Sequence, residues 1–237
     1  MAVANRDYYD AFAQRYDERR GRGYHKLIDD QAAELVRRVG AGREVLEVGC
    51  GTGLILERVQ RFAARARGVD LSPGMLARAR ARGLSVDEAD AAALPFADAA
   101  FDVACSFKVL SHVADPGACL REMARVVRPG GYLVFDLYNR HSMRYLIKRI
   151  GQPGRTSGRF REDAIVTRFF SAGEAAAHFP QDSRLVARAG IRIVTPHPGL
   201  LRLPGLGRIC GWLEWRLMDS PLARFAGFAI FTLRKSL

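Results

Sequence analysis

Three glycines at every second position follow a short apolar run, and they are the strongest chemical signal in the sequence. Residues 45–48, Val-Leu-Glu-Val, lead into residues 49–53, Gly-Cys-Gly-Thr-Gly, and an amphipathic stretch begins at Leu54. The pattern predicts a buried strand, a tight turn and the start of a helix. Glycines let such a turn adopt strained dihedral angles and let its backbone lie against a ligand. Free N–H groups at the start of the helix favour a negative group on that ligand.

An acidic residue ends the next predicted strand. Asp70 follows the apolar Val69 and precedes Leu71-Ser72, so it should lie at a strand tip beside the glycine turn. A carboxylate there suits the hydroxyls of a ribose, because it offers two acceptor oxygens and makes strong charge-assisted bonds. A dinucleotide site is less well matched, since Leu54 stands where its Gly-x-Gly-x-x-Gly pattern requires the third glycine.

The full succession of motifs resembles the class I S-adenosylmethionine-dependent methyltransferases. After the glycine turn come residues 67–72, 90–96, 100–107 and 125–133, in the order found in that family. The resemblance covers about residues 5–137 and is strongest to the branch with the ubiquinone and menaquinone biosynthesis and natural-product enzymes. It implies an α/β fold with a Rossmann-like seven-stranded sheet, mostly parallel with the last strand antiparallel, and helices on both faces. It also implies S-adenosyl-L-methionine as cofactor and S-adenosylhomocysteine as product.

The resemblance gives the motif residues roles. Asp70 would accept hydrogen bonds from both ribose hydroxyls, and Asp90 would accept one from the adenine amino group or make only a turn. Glu47 would either lie near the positively charged methionine end of the cofactor or only orient the turn. The predicted cofactor-binding residues are Tyr16, Glu47, Gly49, Cys50, Gly51, Gly53, Asp70, Leu71, Met75, Asp90, Ala91, Ala92 and Phe107.

His112 is the candidate catalytic residue. It follows the strand that ends near Phe107, which places it over the reaction centre in the family. A histidine can deprotonate an oxygen or nitrogen nucleophile near neutral pH, although a lone histidine is more often structural. In the leading helix, Tyr16 either closes over the cofactor or packs, whereas Tyr8 and Tyr9 are expected to pack the helix onto the sheet.

Alternating strand and helix patterns predict a parallel sheet covered on both faces, with the ligand in the crevice between the first and fourth strands. The predicted strands are 44–49, 66–70, 84–87, 101–107 and 131–137, with a sixth within 185–195 and a seventh, antiparallel, within 226–233. The predicted helices are 5–40, 53–63, 73–82, 116–127, 143–150 and 171–179, the last with a capping box, and 151–159 is a predicted loop.

Composition fits one soluble globular domain with a positive surface. The chain has 237 residues, 49% apolar residues and a net charge of +12, which favours an anionic partner such as nucleic acid, a phosphorylated substrate or an acidic membrane. Scattered cysteines and the lack of a leader or a long apolar run predict a cytoplasmic protein without a membrane span, a zinc site or other metal site. We expect a helical region at 1–42, a cofactor-binding core at 43–137, and substrate-side insertions at 138–170 and 196–226.

The acceptor is the open part of the prediction. The apolar, arginine-interleaved segment 196–225 is a lid over an apolar substrate, a face for a membrane or partner, or extra core. A small-molecule or lipid-like acceptor is favoured, methylated on oxygen, nitrogen or carbon. RNA is the alternative because of the charge, although the Asn/Asp-Pro-Pro-Tyr and Pro-Cys motifs of RNA enzymes are missing. A non-catalytic cofactor-binding protein is the third hypothesis.

Overall fold

A seven-stranded mixed sheet forms the centre of the molecule. This computed structural model describes residues 2–18, 20–150, 155–157, 160–161, 167–195, 197–203 and 205–237. The strands are β1 (Glu44–Val48), β2 (Arg65–Asp70), β3 (Val86–Glu88), β4 (Phe101–Ser106), β5 (Val127–Tyr138), the small hairpin of β6 (Arg155–Ser157) and β7 (Phe160–Arg161), β8 (Ser183–Ile191) and β9 (Phe228–Lys235). The order of the main sheet is β3-β2-β1-β4-β5-β9-β8, and β9 runs antiparallel to both of its neighbours. The predicted fold is therefore confirmed.

Helices cover the two faces of the sheet. Their bounds are α1 (Ala2–Tyr16), α2 (Gly23–Gly40), α3 (Leu56–Val59), α4 (Pro73–Ala81), α5 (Pro116–Val126), α6 (Met143–Ile150), α7 (Ala172–Ala176) and α8 (Leu206–Leu217). Strand side chains alternate between two cores, as a pleated sheet requires. Leu46 and Val48 pack with α5 in one apolar cluster, and Val45 packs with α2 in the other.

The helix caps follow the local sequence. The Ser72 hydroxyl accepts a hydrogen bond from Met75 N at the start of α4, and Asp115 caps α5 in the same way. Ser171 and Glu174 form a complete capping box at α7. Side-chain oxygens at these positions satisfy the backbone N–H groups that a first helical turn leaves without partners. The predicted cap at Ser72 and the capping box are confirmed.

The helix after the glycine turn is shorter than predicted. The sequence predicts a helix over 53–63, whereas α3 spans only Leu56–Val59. Beyond it the backbone tightens, because Arg61 N and Phe62 N donate to carbonyls three residues earlier instead of four. The strand predicted at 84–87 also shifts to Val86–Glu88, since Leu84 is buried in the cluster formed by α3 and α4.

Two other boundaries differ. β5 begins at Val127 rather than 131, and its pairing with β4 shifts across the Pro-Gly-Gly segment, where Gly130 has φ 78°. The predicted helical region 5–40 is divided into α1 and α2 before Gly23, which has φ 59°. Part of the loop predicted at 151–159 is the strand β6, and its remaining residues lie outside the described part of the chain.

The connection between β8 and β9 forms α8, with a 3₁₀ turn on each side (Pro198–Arg202 and Pro221–Phe225). Glu214 of α8 is 1% exposed, and its carboxylate accepts hydrogen bonds from Ile193 N, Val194 N and the Thr195 hydroxyl. Its backbone carbonyl accepts a bond from Gln31 Nε2 of α2. One side of α8 therefore belongs to the core, as one of the three interpretations of this segment predicted. No helix in the described part of the chain is long and apolar enough to cross a membrane.

We expect Glu214→Ala to lower the free energy of unfolding by about 2–3 kcal/mol, because three donors lose a buried charged acceptor. Asp219→Ala is the matched control. Asp219 pairs with Arg38 at an exposed position, 2.9 Å apart, so its loss should cost under about 1 kcal/mol. Urea denaturation measures both values, and equal small losses would contradict the structural role of Glu214.

Candidate functional site

A cavity of about 270 Å³ opens at the carboxyl ends of β1, β2 and β4. This is the crevice beside the point where the strand order reverses, where open α/β sheets bind ligands. The structure brings most of the predicted site residues together there. Those in the lining are Tyr16, Gly49, Gly51, Asp70, Leu71, Met75, Asp90, Ala91, Ala92, Phe107 and His112.

The glycine turn has open space beside its backbone at one position that faces the cavity. Gly49, Gly51 and Gly53 all have positive φ angles, between 55° and 82°, which other residues rarely adopt. A Cβ atom on Gly49 would lie 2.3 Å from Val109 Cγ2, so this position is closed by packing. A Cβ atom on Gly51 would meet nothing within 4 Å. Gly51 is therefore the position where a ligand can approach the bare backbone.

Asp70 joins the glycine turn to the start of α4. Its Oδ2 accepts a hydrogen bond from Gly51 N at 2.8 Å, and its Oδ1 accepts one from Ser72 N at 2.9 Å. Burial, with the nearby Asp10 carboxylate contributing, raises the pKa of Asp70 despite these bonds. Each carboxylate oxygen can accept more than one hydrogen bond. Asp70 therefore keeps acceptor capacity towards the cavity that it lines.

Asp90 makes the turn considered for it and also lies in the lining of the cavity. Its Oδ1 accepts a hydrogen bond from Ala92 N at 2.9 Å, which is an Asx turn. The residue also lines the cavity, together with Ala91 and Ala92. The turn thus holds the carboxylate at the rim without excluding it from contact with a ligand.

Three predicted residues lie outside the lining of the cavity: Glu47, Cys50 and Gly53. A Cβ atom on Gly53 would lie 2.2 Å from Leu84 Cδ1, so close packing requires a glycine at this position. Cys50 points into the apolar cluster of α3 and α4, and burial raises the pKa of its thiol well above the ordinary value. The sequence predicts ligand contact for Gly49, Cys50, Gly51 and Gly53, and the structure places only Gly49 and Gly51 of these in the lining of the cavity.

Glu47 belongs to a cluster of ionisable side chains behind the turn. The Lys108 ammonium lies 2.6 Å from Asp29 Oδ1, and Lys108 also lines the cavity. Oε2 of Glu47 and Oδ2 of Asp29 have no hydrogen-bond partner among the described residues. Burial raises the pKa of Glu47 to about 8, although the positive charge of Lys108 opposes this. The group has two unsatisfied acceptors, which suits a cationic ligand group nearby.

His112 lies on the cavity wall and is held by a neighbouring tyrosine. Its Nε2 is 3.1 Å from the Tyr138 hydroxyl, and the two rings meet edge to face. The Arg144 guanidinium lies 4.5 Å from the centroid of the Tyr138 ring. Burial raises the pKa of Tyr138 above its ordinary value, so the phenol stays protonated. Tyr138 was not predicted as a site residue, because only the fold brings the end of β5 beside His112.

The helix α1 contributes more of the site than predicted. Tyr9 lines the cavity with Tyr16, whereas the sequence analysis expected Tyr9 only to pack. The two tyrosines lie seven residues apart, so they share one side of α1, and that spacing was the available signal. Asp10 anchors the helix by accepting hydrogen bonds from the Ser72 hydroxyl and from Gly74 N.

Comparison with known proteins agrees with this geometry. Residues 46–135 match the family model described as a methyltransferase domain. The ubiquinone biosynthesis O-methyltransferase of Thiobacillus denitrificans is 38% identical over 118 residues, which cover 47% of this chain and 51% of that protein. The same enzyme of Pseudomonas fluorescens is 32% identical over 153 residues, which cover 60% and 66%. The chain thus spans about half to two thirds of the length of these relatives.

A solved structure extends the likeness to the whole fold. A methyltransferase of Thermotoga maritima, described as a possible histamine N-methyltransferase, superposes with a TM-score of 0.69 over 97% of this chain and 99% of that one, at 20% identity. At this identity the likeness concerns the fold alone. Together the comparisons confirm the predicted resemblance to class I S-adenosylmethionine-dependent methyltransferases.

The buried Glu47 carboxyl predicts a pH-dependent stability. Its pKa is about 8 in the folded protein, against an ordinary value of 4.5, so the folded chain holds a proton that the unfolded chain releases between these values. The Glu47 carboxyl alone should therefore lower the free energy of unfolding as the pH rises from about 4.5 to about 8, with a slope of at most about 1.4 kcal/mol per pH unit. Glu47→Gln should remove this slope and be more stable than the wild type at pH 8.

Urea denaturation without ligand at several pH values measures this difference. Glu18→Gln, at an exposed position, is the control and should keep the pH profile of the wild type. Parallel profiles for wild type and Glu47→Gln would show that Glu47 ionises normally.

Proposed function

We propose that this chain, whose residues 46–135 match the family model described as a methyltransferase domain, transfers a methyl group from S-adenosylmethionine to a small-molecule or lipid-like acceptor. The observation that carries the proposal is the convergence of three features on one cavity. These are the open backbone at Gly51, the carboxylates of Asp70 and Asp90, and the histidine held by Tyr138. The reacting nucleophile is an oxygen, nitrogen or carbon atom.

The residues present suit the cofactor. Asp70 would accept the ribose hydroxyls, Leu71 and Met75 would lie on the adenine faces, and Asp90 would accept the adenine amino group. The unpartnered Glu47 oxygen behind the turn favours the ammonium of the methionine end, directly or through water. When bound, S-adenosylmethionine supplies an activated methyl group, so the protein has mainly to align the reactants and exclude water.

His112 is the proposed general base. Its imidazole lines the cavity and could take the proton of an acceptor hydroxyl or amine, while the contact of Nε2 with the Tyr138 hydroxyl holds the ring in place. Tyr138 would act as a positioning residue that fixes the ring orientation. The buried phenol suits that role, because it does not compete for the proton near neutral pH.

A small acceptor is supported by the character of the site. The cavity wall includes Tyr9, Tyr16, Phe107 and Val113, which form apolar surface around the polar groups. The named relatives act in ubiquinone biosynthesis as O-methyltransferases, which supports oxygen as the nucleophile and an aromatic, lipid-like acceptor. Methyl-transfer assays with phenols and quinols, each with a catechol-type hydroxyl, directly test this choice of acceptor.

RNA is the alternative acceptor, and the net charge of +12 is its support. Many arginines, however, are engaged with carboxylates of the chain itself. Arg125 contacts Glu122 and Asp98, and Arg128 contacts Asp102 and Glu44. Such pairs reduce the field available to a phosphate backbone. Tight RNA binding that weakens steeply with salt, together with methyl transfer to RNA, would favour the alternative.

We also infer a reducing compartment, the cytoplasm, from the cysteines. All four are free and buried, and burial raises the pKa of the thiols of Cys50, Cys105 and Cys119. Such thiols are poor nucleophiles and resist oxidation.

Asp70→Ala should weaken binding of S-adenosylhomocysteine ten-fold or more, on the order of 1.5–3 kcal/mol, because charge-assisted bonds to the ligand are lost. Asp87→Ala is the matched control, since Asp87 follows on the adjacent strand but pairs with Arg67 outside the cavity. Isothermal titration calorimetry measures both affinities. Unchanged affinity in Asp70→Ala would remove this residue from the proposed site.

His112→Ala should lower kcat at least ten-fold while changing the affinity for S-adenosylhomocysteine little, because the base acts on the acceptor. His178→Ala is the control, since His178 meets Phe170 edge to face outside the cavity. Initial rates with an accepted phenol measure the effect. Full activity in His112→Ala would show that proton removal does not depend on this histidine.

A further inference from the structure

The outward side of α8 carries large apolar side chains that the protein does not cover. Exposed positions recur every three or four residues along the helix, so they form a stripe on one side. Ile209 and Trp212, at its centre, are 57% and 60% exposed. We define the outer apolar face as these exposed residues of α8 and the 3₁₀ turn after it: Leu206, Ile209, Trp212, Trp215, Leu222 and Phe225.

Arginines interleave with this outer apolar face. The Arg216 guanidinium lies 5.9 Å from the Trp212 ring centroid, and that of Arg224 lies 4.7 Å from the Phe225 ring centroid. Arg208 stands next to Ile209 and is exposed. Within the described residues, no ion pair joins any of these three arginines to a carboxylate. The face therefore combines apolar area with positive charge.

Carboxylates are directed away from the same surface. The segment 198–226 contains two acidic residues, Glu214 and Asp219. Glu214 is buried and accepts hydrogen bonds from the chain after β8, while Asp219 pairs with Arg38 of α2. The inward side of α8 is thus fixed by the acidic residues, and the outward side keeps only apolar and cationic groups.

We propose that the outer apolar face docks on the surface of a lipid bilayer that contains anionic lipids. Twelve residues of helix extend over about 18 Å, against about 30 Å for the apolar part of a bilayer, so α8 would lie in the plane of the interface. Tryptophan rings prefer the level of the headgroups, and arginines beside them reach lipid phosphates while their stems lie on apolar surface.

Charge also favours this occupant over a second copy of the chain. A two-fold contact through the outer apolar face would place the arginines of one copy against those of the other, because the same patch is used twice. A bilayer with anionic headgroups instead attracts each arginine near its surface. The proposal concerns a surface away from the cavity, and it holds whichever acceptor the active site takes.

The two tryptophans make the test direct, since both lie on this face and the chain has no others. The full-length protein is mixed with phosphatidylcholine vesicles with and without phosphatidylglycerol. We expect a blue shift of tryptophan emission and co-sedimentation with the anionic vesicles, both weaker at high salt. Failure to sediment with anionic vesicles would overturn the proposal.

Two variants assign the binding to the outer apolar face. Ile209→Asp keeps both tryptophans and should weaken binding to anionic vesicles about ten-fold or more, because an apolar anchor is replaced by a charge repelled by the lipids. Arg208→Glu should also weaken binding to anionic vesicles, although it removes no apolar area from the face. Leu185→Asp, at a position of β8 that is 43% exposed, is the matched control and should bind as the wild type does.

The remaining outcomes are equally decisive. Thermal melts and the affinity for S-adenosylhomocysteine show whether each variant is folded. If Ile209→Asp is not folded, Arg208→Glu alone tests the outer apolar face. Equal vesicle binding by both face variants and the wild type would overturn the proposal. So would a dimer in sedimentation velocity that Ile209→Asp converts to a monomer, or binding to a protein partner in place of vesicles.

Discussion

The carboxylate of Asp70 is the interaction on which the site depends. It receives one backbone N–H from the glycine turn and one from the residue that caps α4, Gly51 and Ser72. These two bonds fix the tip of β2 against the loop that follows β1. Because Ser72 in turn bonds Asp10, the same contact sets the position of α1 over the cavity. One partly buried carboxylate thus orients three walls of the site and still has acceptor capacity.

This arrangement explains how the chain can bind a cationic, adenosine-containing ligand without metal chemistry being invoked. Acidic groups line the cavity, and others lie deeper in the protein. Asp70 and Asp90 line the cavity, while Glu47 and Asp29 are buried behind the turn, where the Lys108 ammonium lies 2.6 Å from Asp29 Oδ1. Lys108 itself has a φ of 62° and donates its N–H to the buried Asp136, so its strained backbone is held from both sides. Burial raises the pKa of Asp136 to about 7.

Much of the site was predictable because its residues follow strands in short, local motifs. The turn at 49–53, Asp70 and Asp90 each owe their position to the element just before them, so a linear pattern predicts them. Tyr9 reaches the cavity, and Tyr138 reaches His112, through tertiary packing, and only the helical spacing of Tyr9 and Tyr16 hinted at one of them. Gly53 was assigned ligand contact because the pattern cannot show that Leu84 folds back against it.

The same distinction applies to the fold. The order and direction of the strands agree with those that the resemblance implies. The ends of individual helices and strands differ from the prediction where side-chain packing competes with regular secondary structure, as at the shortened α3. For segment 196–226 the sequence left three interpretations open. None of its described residues lines the cavity, its inward side is core, and its outward side carries the proposed membrane face.

Calorimetric titration of the unmodified protein with S-adenosylhomocysteine, compared with NAD, tests the central claim most directly. The account predicts a saturable heat with one site per chain and a raised melting temperature for the first ligand, and neither for the dinucleotide. Absence of both signals with S-adenosylhomocysteine, or equal binding of NAD, would contradict the proposal that this cavity holds the adenosine and methionine parts of a methyl donor.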